Sequence, residues 1–93
     1  MKIAINKCFG GFGVPDQVAA QMPKDLQAWD RSDPRLITAL EDYLQKFGDG
    51  SLKDEYSDVG IVEIPDEATD WMIIDYDGLE SVIYVLWGKI RFA

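Results

Sequence analysis

"SDPRLITALEDYLQKFG", residues 32–48, decides the fold. Leu36, Leu40, Tyr43, Leu44 and Phe47 recur at spacings of three and four, which puts them on one stripe of a helix. Arg35, Glu41, Asp42, Gln45 and Lys46 fall outside that stripe. Ser32 or Asp33 can cap the helix, Pro34 suits its first position, and Gly48 ends it. An amphipathic helix must bury its stripe on something, and the flanking sequence supplies strands.

Upstream, "KIAINKC" alternates Ile3 and Ile5 with Lys2, Ala4 and Asn6, the period of a strand. "PDQVAAQM", residues 15–22, reads as a short helix begun by Pro15 and Asp16 and stopped by Pro23. "KDLQAWD" is a turn or loop anchored by Leu26 and Trp29. Downstream, residues 48–58 are polar and glycine-rich, the pattern of a mobile loop. "VGIVEIP" is a strand ended by Pro65, and "DEATD" is an acidic connection. "WMIIDY" and "LESVIYVL" are strands joined at Asp77-Gly78, a type I′ hairpin signal. Trp87 and Gly88 punctuate a last extended piece, "KIRFA".

These elements predict an α+β fold in one domain, residues 1–93. Its form is two-layer: a mostly antiparallel sheet of three to five strands packed against one long helix and one short helix. The helix stripe covers one sheet face. The other face carries a share of Trp71, Ile73 and Tyr84, and self-association into a homo-oligomer is expected if no further layer covers it.

With 47% hydrophobic residues the chain should fold rather than remain disordered. No apolar run approaches bilayer length and the start lacks a signal-peptide core, so a cytoplasmic, non-membrane protein is expected. Cys8 is the only cysteine, which excludes an internal disulfide. Seventeen acids against nine bases give a net charge of −8, which repels nucleic-acid phosphates and suits either simple solubility or a basic partner surface.

The absence of histidine removes the commonest general base and metal ligand. Cys8 has no histidine to activate it and no second cysteine to share a zinc ion, so it reads as a small buried residue. Asp75, Asp77 and Gly78 resemble the start of a calcium loop, but the twelfth position is Leu86 where a bidentate glutamate is required. A non-enzymatic protein with no cofactor and no metal is expected.

"NKCFGGFG", residues 6–13, carries the candidate binding set. A glycine turn between a strand and a helix has the order of a phosphate-binding loop. It lacks the lysine and hydroxyl of a P-loop, and Asp16 stands where a dinucleotide fingerprint has its third glycine. Two roles stay open besides a plain turn. Backbone amides of Gly10, Gly11, Phe12 and Gly13, with Asn6 and Lys7, could hold an anionic group. Alternatively, Phe9 or Phe12 could enter a pocket on a protein partner.

"MKIAINKCFGGFG", "RSDPRLITALEDYL" and "VEIPDEATDWMIIDYDGLESV" together resemble a family of small bacteriophage and prophage proteins. Its members open with "INKCYGGFGLS" and close with a "VEIPD" strand and a "YDG" hairpin. Val14-Pro15 stands where that family has leucine-serine, and the end "IYVLWGKIRFA" lacks its basic, histidine-containing tail. The resemblance implies a phage accessory protein acting in the cytoplasm of an infected or lysogenic bacterium. The leading expectation is a viral anti-defence inhibitor that occludes a host or defence-system protein. The alternatives are an oligomeric sponge for a nucleotide-derived defence signal and a small enzyme that degrades such a signal.

Overall fold

The computed structural model describes residues 1–25 and 29–93. Leu26, one of the two expected loop anchors, lies outside the described residues. In chain order the elements are β1 (Lys2–Asn6), α1 (Asp16–Ala19), α2 (Pro34–Phe47), β2 (Val59–Glu63), β3 (Asp70–Tyr76), β4 (Leu79–Leu86) and β5 (Lys89–Phe92). The fold is α+β. Its strands form two antiparallel sheets, a β1–β2 ribbon and a β3–β4–β5 meander. Among the described residues no helix is long and apolar enough to cross a membrane.

Helix α2 starts where its sequence says it should. The Asp33 carboxylate accepts the Arg35 backbone N–H at 2.9 Å, Pro34 follows, and Gly48 closes the helix at φ 93°. Leu36, Ile37, Ala39 and Leu40 are buried, Tyr43 and Leu44 half-buried, and Phe47 exposed. The stripe thus faces the core over its first two-thirds and runs out into solvent. Helix α1 is shorter than expected. Gln21 and Met22 donate to Val18 and Ala19, so the chain tightens into three-residue turns before Pro23.

The β1–β2 ribbon lies in the middle of the molecule. On one side, Ala4 and Val59 join Val18, Leu36 and Leu40 in a cluster under the helices. On the other, Ile3 and Ile5 join Ile64 and Val82, with Trp71, Ile73 and Tyr84 packed against them. A sheet-on-sheet contact is therefore added to the helix-on-sheet one. This corrects the face assigned to Trp71, Ile73 and Tyr84: they turn toward β1, whose isoleucines need covering. The uncovered face of the meander belongs to the alternate residues of the same strands, including Met72, Ile74 and Tyr76.

Both hairpin turns use two consecutive residues at positive φ, as type I′ geometry requires. Asp77 and Gly78 sit at 51° and 88°, and Trp87 and Gly88 at 51° and 76°. Aspartate tolerates that region; tryptophan has no such preference, so the second turn carries a weaker signal in the sequence.

Candidate functional site

A central strand has two backbone edges to satisfy. Strand β1 gives one edge to β2. On the other, Ala4 N–H donates to the Arg31 carbonyl at 2.9 Å, and Asn6 N–H donates to Glu80 Oε1 at 2.7 Å. Glu80 in turn receives both arms of Arg31, at 2.7 and 3.0 Å, and is 7% exposed. Arg31 also donates to the Ala4 carbonyl, and its guanidinium lies 3.6 Å above the Phe12 ring. This buried fork closes the edge of β1 and pins the glycine loop to the start of α2.

Asn6 holds the loop from beneath. Its side-chain amide donates to the carbonyls of Cys8 and Gly78, at 3.0 and 2.7 Å. Its oxygen accepts the Asp58 N–H at 2.8 Å and the Cys8 thiol at 3.5 Å. The residue is wholly buried. Cys8 is half-buried rather than enclosed, and its thiol also lies 3.7 Å from the Tyr56 carbonyl oxygen.

The loop then docks on two neighbours. Gly10 N–H donates to the Asp77 carbonyl at 3.1 Å, and Gly11 N–H to the Tyr56 carbonyl at 3.0 Å. A Cβ on Gly10 would overlap the Tyr56 backbone, and a Cβ on Gly78 would overlap Gly10. These two glycines are close-approach positions. Gly11 has no described atom within 4 Å of a would-be Cβ, and Gly13 meets Ser57 only at ordinary contact distance. The amides of Gly10 and Gly11 are engaged within the fold. The aliphatic chain of Lys7 lies across Gly60, and the residue is exposed.

The two phenylalanines part company. Phe12 turns inward, half-buried under Arg31 and edge-on to Trp29 with ring centroids 6.5 Å apart. Phe9 turns outward, edge-on to Tyr76 at 6.2 Å. Phe9 is 66% exposed and Tyr56 and Tyr76 are each 70% exposed, so three aromatics stand in solvent on segments joined by backbone hydrogen bonds. The acids Glu55 and Asp77 are exposed beside them.

Tyr56 and Tyr76 escaped the sequence reading. Tyr56 was hidden in a segment that reads as mobile, yet Asp54 ties its second half into a turn. The Asp54 carboxylate accepts the N–H groups of Tyr56 and Ser57 at 2.7 and 2.8 Å, which holds its pKa below the usual value. The Arg31–Glu80 fork was also missed. Its signal was present: Glu80 falls in the same alternating row as Val82 and Tyr84, and a carboxylate in a core-facing row needs a cation.

Comparison with models of protein families, with curated proteins and with solved structures finds no match to this chain.

Proposed function

We propose that this chain is a non-enzymatic, phage-type binding protein that antagonises a bacterial defence or host factor by covering a surface on it. The supporting observation is the exposed cluster of Phe9, Tyr56 and Tyr76 on hydrogen-bonded supports. Large aromatics held in place lose little freedom on binding, and such residues dominate the energy of protein interfaces. Glu55 and Asp77 at the rim, within a chain of net charge −8, select a partner with a basic surface around an apolar pocket. Gly11 adds to this. The fold leaves room for a side chain there, whereas a partner packed over the loop would use the bare backbone.

The engaged amides of Gly10 and Gly11 make an anion cradle the weaker reading of the same loop. The family resemblance supplies the phage setting, and the tip supplies the mode of action.

The test is protection of phage on bacteria carrying defined defence systems, with and without the protein. Phe9→Ala and Tyr76→Ala should abolish protection while leaving the melting temperature unchanged. The purified defence protein should bind the wild-type chain, with an association rate that falls as salt is raised. A thermal-shift screen with cyclic nucleotides and cyclic ADP-ribose species runs in parallel. A bound ligand released intact would replace this reading with a sponge, and an altered ligand would replace it with an enzyme.

A further inference from the structure

Strands β2, β3 and β5 each have an edge that no other strand occupies among the described residues. Two of these edges are met in part from within the fold. At the head of β2, Lys53 bridges to Asp58 and Asp54 N–H donates to the Ser57 carbonyl at 2.8 Å. On β3 the Trp71 N–H donates to the Asp70 carboxylate at 2.8 Å. No described residue meets the edge of β5, and all four of its residues are exposed.

The register of β5 on β4 fixes what that edge presents. Lys89 and Arg91 lie opposite Leu86 and Tyr84, and Ala93 N–H donates to the Val82 carbonyl at 2.9 Å. The odd-numbered residues therefore bond to β4, and the N–H and C=O groups of Ile90 and Phe92 point away from the sheet. Side chains alternate as well. Ile90 and Phe92, 71 and 73% exposed, lie on the outward face of the meander. Lys89 and Arg91 lie on the other face, in the rows of Leu86 and Tyr84. They are the only bases after Lys53, and neither has an ion-pair partner among the described residues.

We infer that β5 is a docking edge for an extended segment of a partner protein in which acidic and apolar residues alternate, added antiparallel as a fourth strand of the meander. Ile90 and Phe92 then make the hydrogen-bonded pairs. Lys89 and Arg91 take the non-hydrogen-bonded sites, where facing side chains come closest and Cα atoms are about 4.5 Å apart. A carboxylate opposite each base answers its charge, and an apolar residue opposite Ile90 and Phe92 covers the other face. The same bases reject a second β5. Two-fold pairing over the length of the strand would set Arg91 against Arg91, or Lys89 against Arg91, at those close sites. Charges on an edge strand guard against such self-pairing, and here the guard also selects. The rest of the chain is acidic, with a net charge of −8, so the segment gains from acids at the two facing positions and not throughout.

Calorimetry of the full chain with a capped peptide of core sequence valine-glutamate-valine-glutamate tests the inference. This peptide should bind; the same peptide with lysine for glutamate, or with glutamate throughout, should not. N-methylation of the valines blocks the amides that face β5 and should abolish binding. N-methylation of the glutamates blocks amides that face away and should leave it. Ile90→Pro removes an N–H that the fold does not use, so it should keep the melting temperature and lose the peptide. Lys89→Glu with Arg91→Glu should weaken the glutamate peptide at least about tenfold and admit the lysine peptide. No binding at millimolar peptide, equal loss from either set of methyl groups, retention by folded Ile90→Pro, or no change of preference on charge reversal would overturn it. The edge is distinct from the aromatic tip, because the Asp77-Gly78 and Trp87-Gly88 turns lie at opposite ends of β4. Phe9→Ala should therefore leave the peptide bound, and the two readings fail separately.

Discussion

Gly78 is pressed against the backbone of Gly10, so the turn of the β3–β4 hairpin and the glycine loop share one joint. Gly78 also sits at φ 88°, where a side chain is strained in any surroundings. Gly78→Ala should cost at least about 2 kcal/mol from the two effects together. Gly10→Ala should be costly through overlap with the Tyr56 backbone. Gly11→Ala has open space and should stay within about 0.5 kcal/mol of wild type. Urea unfolding of the three variants checks the order; equal losses would mean the loop does not seat on the turn as described.

The fork between Arg31 and Glu80 is a buried charge pair, and removing one partner leaves the other without compensation. Glu80→Ala should cost about 3–5 kcal/mol. Arg31→Met with Glu80→Leu should lose much less than the two single losses added together. A double-mutant cycle should return a coupling above about 1 kcal/mol. Additive losses would mean that the pair contributes no more than its separate contacts.

Helix α2 offers an internal contrast. Leu40 is fully buried, and Leu40→Ala should cost about 2–5 kcal/mol. Phe47 lies on the same stripe but is half in solvent, its ring tilted against Tyr43 with centroids 4.5 Å apart. Phe47→Ala should cost markedly less than Leu40→Ala, as read from denaturation midpoints. The reverse order would mean that the helix is rotated about its axis.

Asp33 and Asp54 are among the carboxyls that make stability depend on acid. Asp33 is held below the ordinary aspartate value of 3.8 by the Arg35 side chain first and the Arg35 backbone N–H second. Asp54 is held below it by the backbone N–H groups of Tyr56 and Ser57. Each binds its proton less tightly folded than unfolded. Their contribution is therefore complete above pH 3.8 and is lost as pH falls below it, through the folded values. Asp33→Asn and Asp54→Asn should each flatten the fall in melting temperature below that pH.

The long helix was legible because its stripe, cap, proline and terminal glycine all point to one reading. Asp77-Gly78 was legible for the same reason. The placement of β1 was not. Its second buried face is made by Ala4 and Asn6, one too small and the other too polar to advertise burial. The strand therefore looks half-exposed in the sequence, and the division into two sheets on either side of the ribbon stays hidden. At the candidate site, Phe9 and the glycines could be read from the loop's composition. The contribution of Tyr56 and Tyr76 could not, because it comes from segments far apart in sequence that meet only through backbone hydrogen bonds.

The burial of β1 on both faces has a consequence for the order of assembly. Lys2–Asn6 pairs with Val59–Glu63 and then packs on β4, so the strand at the start of the chain closes the longest loops in the molecule. The β3–β4–β5 meander, by contrast, is built from two short local hairpins. During synthesis β1 is made before β2 and β4 and waits, with Ile3 and Ile5 uncovered, until those partner strands have followed. Amide exchange started at intervals during refolding should find protection in the meander before it appears at Ala4 and Asn6, whose N–H groups close on Arg31 and Glu80.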